Sequence, residues 1–218
     1  MMRLIILGAP GVGKGTQGKL LGASYQIPNI STGDILRTAI EQETELGTKA
    51  KEFMEKGELV PDDIMIGLIQ HRLQFDDCEN GFILDGFPRT VKQAVALDGY
   101  LQSVNKNINY VIALEVAEKK VIERLTSRRV CRNCGKDYNL ITNPPPSNNR
   151  CSLCQGKIIQ RSDDTKETVQ NRLKVYQGKT KSLKEYFQKQ GKLIILNGEG
   201  SIEQIQTRIR SFLDSKDR

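Results

Sequence analysis

The chain of 218 residues has no tryptophan, one histidine and no long hydrophobic run. Its apolar stretches are far shorter than the roughly 20 residues that cross a bilayer, and the one after Met1-Met2-Arg3 is too short for a secretory leader. Only 6% of residues are aromatic, and no aromatic cluster offers bases a stacking surface. His71 has no nucleophile or second carboxylate at catalytic spacing, so we expect a surface or packing role. These features predict a cytoplasmic protein that uses no histidine triad, membrane or nucleic acid.

Acidic residues are outnumbered, and the cysteine pattern is not that of a disulfide framework. Lys and Arg total 33 against 26 Asp and Glu, which gives a net charge of +7. This charge indicates anionic partners, and small phosphorylated molecules satisfy it as well as nucleic acid does. The five cysteines are an odd number, and four of them lie in two close pairs. The length allows one core domain with one or two inserted segments.

Residues 4–16 predict a buried strand that runs into a phosphate-binding loop. An apolar run is followed by a glycine-rich turn, and a helical pattern starts at Lys14. The spacing from Gly8 to Lys14 matches G-x-x-x-x-G-K, whose backbone N–H groups bind phosphate at a helix N-terminus. The next position usually carries a hydroxyl for Mg²⁺, but here it is Gly15, with Thr16 one residue later. We predict that Lys14 reaches the β- and γ-phosphates of a nucleotide; the alternative is an ordinary glycine turn.

Residues 81–85 predict another buried strand, and it ends in a carboxylate. Asp85 closes this strand, and Arg89 follows within a short turn. Functional groups of open α/β sheets collect at the carboxyl ends of the strands, where an aspartate can hold Mg²⁺ through water. We therefore predict that Asp85 and Arg89 share the phosphate crevice, although Asp85 could simply cap the turn.

Strand and helix patterns alternate along most of the chain. Strands are predicted near 4–7, 27–30, 81–85, 110–116 and 192–197, with single helices over 118–129 and from 166 to about 190. This order predicts an α/β fold, a P-loop kinase core with a five-stranded parallel sheet flanked by helices. The core would comprise residues 1–30, 61–126 and 166–218, and residues 31–60 would form a small helical insertion.

Residues 127–165, which we call the lid, contain two C-x₂-C pairs. Sixteen residues separate the pairs, which are formed by Cys131, Cys134, Cys151 and Cys154. Four thiolates with no open position predict a structural zinc site, with free thiols or two disulfides as alternatives. A segment this short needs such a metal to hold its fold.

Several segments together resemble the motifs of adenylate kinases of the long-lid, zinc-binding bacterial type. The matching segments are 8–16, 31–34, 84–90 and 161–164, and the resemblance covers essentially the whole chain. It implies a monomer that transfers a phosphoryl group from ATP to AMP to give two ADP, with Mg²⁺ bound with ATP and structural Zn²⁺ in the lid. It implies that residues 31–60 bind AMP.

The resemblance also implies which residues form the site. ATP would contact Gly11, Val12, Gly13, Lys14, Gly15, Thr16, Arg128, Asp137, Tyr138 and Gly200. AMP would contact Thr32, Arg37, Glu58, Leu59, Val60, Gly86, Arg89, Gln93, Arg161 and Arg172. The catalytic set would be Lys14, Asp85, Arg89, Arg124, Arg128, Arg161 and Arg172. Asn139 departs from the family's pattern beside the lid position that contacts the donor base.

Two other interpretations stay open at this stage. One is a nucleoside monophosphate kinase with a different base choice, either a GTP:AMP or a UMP/CMP enzyme. Ser31, Thr32, Gln93 and the long lid argue against the pyrimidine version. The more distant one is a zinc-ribbon protein that binds nucleic acid, which the basic charge and the cysteines suggest and the scarcity of aromatics disfavours.

Overall fold

Eight strands form two separate sheets in the computed structural model, which describes residues 1–216. The strands are β1 (Met2–Leu7), β2 (Asn29–Ser31), β3 (Gly81–Asp85), β4 (Tyr110–Glu115), β5 (Arg128–Cys131), β6 (Asp137–Asn139), β7 (Ile158–Ile159) and β8 (Leu193–Asn197). The larger sheet has the order β2-β3-β1-β4-β8, and its adjacent strands are all parallel. The smaller sheet has the order β6-β5-β7 and is antiparallel. The predicted five-stranded parallel α/β core is confirmed.

Helices connect the strands of the larger sheet. They are α1 (Lys14–Tyr25), α2 (Thr32–Glu41), α3 (Glu45–Lys56), α4 (Asp62–Arg72), α5 (Val91–Ser103), α6 (Glu118–Thr126), α7 (Lys166–Val175), α8 (Ser182–Lys189) and α9 (Ile202–Lys216). Short 3₁₀ turns occupy Asp76–Cys78 and Ser162–Asp164. Within residues 1–216, none of the helices is both long and apolar enough to span a membrane.

The larger sheet is buried on both faces because its strands alternate between two hydrophobic clusters. Ile5 and Leu7 of β1 pack with residues of α4, α5 and α8, whereas Leu4 and Ile6 pack with residues of α1, α6 and α9. Parallel strands covered on both sides need apolar residues at nearly every position, which is why these segments read as short apolar runs. His71 is exposed and packs edge-on against Phe75, with ring centroids 5.4 Å apart, as expected of a surface residue.

The strand register brings the functional ends of three strands together. Asp85 at the end of β3 lies opposite Ile6 of β1 and Ser31 of β2. The phosphate loop, the start of α2 and the turn after β3 therefore leave the sheet at the same edge. This is the edge at which ligands bind in open α/β sheets.

The predicted helix over 118–129 is wrong at its end. α6 stops at Thr126, and Arg128 begins strand β5. Ser127 ends the helix because its hydroxyl donates to the Glu123 carbonyl (2.5 Å), and pairing with β6 and β7 then holds the following residues extended. Arginines have good helix propensity, but tertiary pairing overrides it here.

The predicted single helix from 166 to about 190 is also divided. A π turn over Tyr176–Thr180 separates α7 from α8. The hydroxyl of Thr180 donates to the carbonyl of Arg89 (3.0 Å), so the wide turn reaches the segment after β3. Such single-turn π segments are common near functional sites. The proposed boundaries of the core, the helical insertion and the lid stay predictions, and β5–β7 all lie within the predicted lid.

Candidate active site

The loop between β1 and α1 adopts a conformation that requires glycine at its last position. Gly13 precedes α1 with φ +102°, in the left-handed region that favours glycine, and no side chain caps the helix. The first N–H groups of α1 are therefore free to bind an anion, and the helix dipole favours negative charge there. Val12 is buried in the core, so it can contribute only its backbone to this loop.

Lys14 curls back over the loop. Its Nζ donates to the carbonyls of Gly8 (2.9 Å) and Ala9 (2.8 Å). The pKa of Lys14 is lowered to about 8. Burial is the main cause and Arg89, Arg172 and Arg128 act in the same direction, whereas Asp85 partly opposes the shift. The ammonium group thus lies among other cations, where an anion would strongly favour its charged form.

Asp85 lies at the end of β3 beside the start of α1. It is 9% exposed, and burial raises the pKa of its carboxyl group while Lys14 and Arg89 oppose that rise. A Cβ atom on Gly15 would lie 3.2 Å from Asp85 Oδ2, which leaves little room for a side chain after the lysine. A carboxylate at this position fits the oxygen chemistry that Mg²⁺ requires.

Asp163 and Asp164 collect three of the predicted arginines. Arg161 binds Asp163 through Nε (2.9 Å) and Nη2 (2.7 Å), and Arg128 Nε donates to Asp164 (2.8 Å). Arg172 Nη1 lies between the two carboxylates, 3.1 Å from Asp163 Oδ2 and 3.4 Å from Asp164 Oδ1. Burial lowers the pKa of Arg172 to about 10, whereas Asp163 raises it. Both carboxylates are buried, and together they compensate most of the charge of the three guanidinium groups, which leaves the cluster cationic.

Asp163 also reaches Arg37 of α2. Arg37 Nη1 lies 3.9 Å from Asp163 Oδ2, and the same guanidinium forms a hydrogen bond with Asp34. Burial would raise the pKa of Asp163, but Arg161, Arg172 and Arg37 together hold it well below its usual range. Arg124 is not part of this cluster, since its Nη1 donates to the Gly198 carbonyl (3.3 Å).

A cavity opens beside the cluster. Nine of the ten residues predicted to contact AMP line it, namely Thr32, Arg37, Glu58, Leu59, Val60, Gly86, Arg89, Gln93 and Arg172. The tenth, Arg161, reaches the cavity through Asp163, which also lines it. The structure therefore brings these residues together around one cavity.

The polar groups of this cavity are held in place by neighbours. Arg89 Nε donates to the Gly86 carbonyl (2.8 Å), and Thr32 Oγ1 donates to the same oxygen (3.0 Å). Gln93 accepts from the Arg89 N–H (2.7 Å) and donates to Asp62 Oδ1 (2.7 Å). Burial lowers the pKa of Arg89, and Asp85 opposes that effect. The cavity thus presents pre-positioned cations to an anionic ligand.

The residues predicted near the adenosine of ATP lie in two segments, β6 and the turn before α9. Asp137 Oδ2 accepts from Lys19 of α1 (3.3 Å), and this lysine also donates to Gly135 (2.9 Å). Tyr138 turns its side chain away into the lid, where its hydroxyl donates to Cys151 Sγ (3.3 Å). Gly200 has φ +117° and precedes α9. The side chain of Tyr138 is therefore unavailable to a nucleotide, and only the backbone of this residue is placed to contact one.

The four lid cysteines converge on one point. Their Sγ atoms all lie within 4.8 Å of one another, with 3.4 Å between Cys131 and Cys154 and 3.6 Å between Cys134 and Cys151. An ion held at about 2.3 Å by four sulfurs would place them roughly 3.8 Å apart. Burial raises the pKa of Cys151, but hydrogen bonds from the Tyr138 hydroxyl and from backbone N–H groups lower it to about 6. The cluster can therefore hold a metal ion.

Two functional residues were missed from the sequence. Asp163 and Asp164 were noted only as part of a motif, although they join the arginines of the site. The available signal was their position two and three residues after Arg161, since adjacent carboxylates so close to an arginine indicate charge pairing.

Known proteins resemble the chain over nearly its full length. Residues 6–192 match the family model described as "Adenylate kinase". The adenylate kinase of Archaeoglobus fulgidus is 52% identical over 213 residues, which cover 98% of each chain. That of Methanosarcina barkeri is 50% identical over 212 residues, and that of a Geobacillus species 49% identical over 212 residues; both alignments cover 97% of this chain and 98% of the relative. The chain therefore belongs to the adenylate kinase family.

Proposed function

We propose that the chain transfers a phosphoryl group reversibly from ATP to AMP to give two ADP, thereby balancing adenine nucleotides. ATP would bind to the loop at residues 8–16, and AMP would occupy the cavity that Arg37 and Arg89 line. The observation that carries this proposal is electrostatic. Arg89 and Arg172 line the cavity, and both lower the pKa of Lys14 in the phosphate loop, so one cationic field covers both places.

The side chains suit a mechanism based on charge and position. Phosphoryl transfer needs little covalent chemistry from the protein, because positioning and electrostatic stabilisation dominate it. Lys14 would bind the transferring phosphate. The guanidinium groups of Arg89, Arg128 and Arg172 would each bind two phosphate oxygens. Asp163 and Asp164 would keep these arginines oriented. Mg²⁺ bound near Asp85 would neutralise part of the negative charge of the phosphates.

The proposal extends to the domain organisation, the oligomeric state, the location and the metal of the chain. The core, the helical AMP-binding insertion and the lid would have the boundaries given above, and the chain would act as a monomer in the cytoplasm, where thiols stay reduced. The cysteine cluster would hold Zn²⁺ in a structural role, because four thiolates leave no open coordination position.

A coupled assay with a panel of nucleotides tests the proposal. ATP, GTP and UTP serve as donors, each with AMP, GMP, UMP and CMP as acceptors. Phosphotransfer with ATP and AMP far above every other pair is the expected result. A preference for GTP as donor or for UMP or CMP as acceptor would replace the proposal by one of the alternative kinases.

A binding measurement addresses the zinc-ribbon alternative. A fluorescent single-stranded oligonucleotide is titrated with the protein at physiological salt. The kinase proposal predicts no saturable binding in the micromolar range, whereas saturable binding together with absent phosphotransfer would favour the ribbon.

A further inference from the structure

The side chain of Asn139 uses its whole hydrogen-bonding capacity within the protein. Its Nδ2 donates to the carbonyl of Arg124 (3.0 Å) and to Ser127 Oγ (2.9 Å). Its Oδ1 accepts from the N–H groups of Ile141 (3.0 Å) and Thr142 (3.1 Å). An amide has two donor hydrogens and two acceptor lone pairs, so no capacity is left for a nucleotide base.

The partners of Asn139 lie on two different elements. Arg124 and Ser127 end α6, where the last carbonyls of a helix lack helical partners, and the Asn139 amide supplies one. Ile141 and Thr142 belong to the lid turn that follows β6. Backbone hydrogen bonds reinforce the contacts with α6 and with the lid turn. Leu140 N donates to Ser127 O (3.0 Å), and Asn139 and Asn143 exchange two backbone hydrogen bonds.

The junction also bears on two predicted catalytic arginines. Arg124 is in the last turn of α6, and Arg128 is the β5 residue directly opposite Asn139 in the antiparallel pair. The angle between α6 and the β5-β6 ribbon therefore decides where both guanidinium groups lie. Asn139 fixes this angle from the side, since it is bonded both to the end of α6 and to the lid turn.

We propose that Asn139 is a positioning residue that fastens the lid to the last turn of α6, and that it does not select the donor base. The proposal rests on the proposed kinase function for its kinetic readout. A residue that acts through geometry should affect every donor equally, whereas a residue in contact with the base should affect donors differently.

The test compares Asn139→Ala with Asn143→Ala. Asn143 lies in the same turn, is exposed, and makes a single long side-chain bond, to the Asp137 carbonyl (3.4 Å), so it is the matched control. We expect Asn139→Ala to lower kcat/KM about tenfold or more for both ATP and GTP, since small displacements of catalytic groups cost up to about 10²-fold. The ratio of the two kcat/KM values should stay as in the parent, and Asn143→Ala should change neither value.

A second variant isolates the contact with α6. Asn139→Asp keeps an acceptor for Ile141 and Thr142 but removes the donor that Arg124 and Ser127 receive. We expect it to lower kcat/KM for both donors by a similar factor, with unchanged metal content and far-ultraviolet circular dichroism. A changed ATP-to-GTP ratio in either variant, or wild-type kcat/KM in both, would overturn the proposal.

Amide hydrogen exchange separates this proposal from the kinase assignment. Asn139→Ala should speed exchange at the amides of residues 127–131 and 139–143, relative to Asn143→Ala. If the parent chain transferred no phosphoryl group, the kinase function would fail, and the exchange result alone would decide whether Asn139 fastens the lid. Unchanged exchange in that case would overturn the positioning role.

Discussion

Lys14 lies where its charge is disfavoured in the folded protein. Burial, Arg89, Arg172 and Arg128 all lower its pKa, which falls from 10.5 to about 8. A folded-state pKa below the unfolded one means that stability is lost as the pH falls from about 10.5 to 8, and the loss is complete below pH 8. The charge is therefore held at the loop at a cost in stability, as expected of a functional group.

We predict that Lys14→Met lowers turnover by about 10²–10³-fold or more, because one preorganised charge at the reacting group contributes on that scale. The same change should raise the melting temperature of the ligand-free protein at pH 7, because it removes a disfavoured buried charge. Turnover and thermal melting are measured on the same preparation. Lys49→Met, on the exposed face of α3, is the control. If Lys14→Met turned over as fast as the parent, the phosphate loop would have no part in the reaction.

Arg89 should not tolerate replacement by lysine. Its Nε is committed to the Gly86 carbonyl (2.8 Å), which orients the rest of the guanidinium group in the cavity. A lysine has a single ammonium and cannot make this bond and grip two phosphate oxygens together. We predict that Arg89→Lys lowers kcat/KM for AMP about 100-fold.

Steady-state kinetics with AMP as the varied substrate measure this effect. Arg132→Lys, at an exposed lid position, should match the parent and controls for the exchange itself. Near-parent kinetics for Arg89→Lys would show that a point charge is sufficient at this position.

Individual residues of the site differed in how far the sequence could predict them. Asp85 closes one apolar strand and Lys14 follows another across the glycine-rich loop, so their position at one sheet edge could be predicted from pattern alone. The AMP-cavity residues came from the family resemblance, and nine of them line one cavity. The four bonds of Asn139 could not be predicted, because its partners on α6 depend on how the lid packs.

At the scale of elements, local pattern succeeded where each strand is buried on both faces. The apolar runs of β1, β3 and β4 were predicted within a few residues, because burial alone determines their composition. The first two residues of β5 were predicted as helix because they are polar arginines, and because one partner of the strand, β7, is distant in sequence. The π turn between α7 and α8 was missed since a wide turn leaves no pattern in the side chains.

The lid should depend on its metal, and the core should not. The binding free energy of structural zinc in small modules is about 10–16 kcal/mol and is coupled to folding. The parallel sheet has its own two hydrophobic clusters. We predict that chelation, or Cys131→Ser, lowers the melting temperature and loosens the lid, while the sheet and part of the activity persist in the cool.

Metal content per chain is measured beside melting and activity curves, with and without chelator. About one zinc per chain in the parent is expected from the four-thiolate chemistry. Cys78→Ser changes the cysteine outside the cluster and should leave metal content unchanged. A reduced parent preparation without metal would contradict the structural role, and complete loss of turnover with an intact fold would indicate a catalytic ion.

At the scale of the whole molecule, Asp163 joins parts that are far apart in sequence. It binds Arg161 at the end of the lid, Arg172 of α7 and Arg37 of α2. These cations hold its pKa below the usual range despite burial. A carboxylate with a lowered folded-state pKa stabilises the protein above its unfolded pKa, and this contribution is lost as the pH falls through the folded value.

We therefore predict that Asp163→Asn flattens the fall in stability as the pH drops below about 4, where the carboxyl group takes up a proton in the unfolded chain before it does so in the folded protein. The variant should also be less stable at pH 7, because it removes the negative charge that Arg161 binds through two bonds and leaves the cluster of arginines less compensated. Urea unfolding midpoints measured from pH 7 down to acid pH report both effects. Asp76→Asn, at an exposed position, is the control. A parent-like pH dependence in Asp163→Asn would contradict this role.

The contact between Arg128 and Asp164 has an evolutionary consequence. It ties together the first and last residues of a segment of more than thirty residues, and Val130 pairs with Ile159 just beyond it. A segment whose ends meet can be lengthened, shortened or exchanged without moving the chain on either side, as in domain insertion and circular permutation. Insertions and deletions among descendants of this gene should therefore accumulate between these two residues and spare the pair itself.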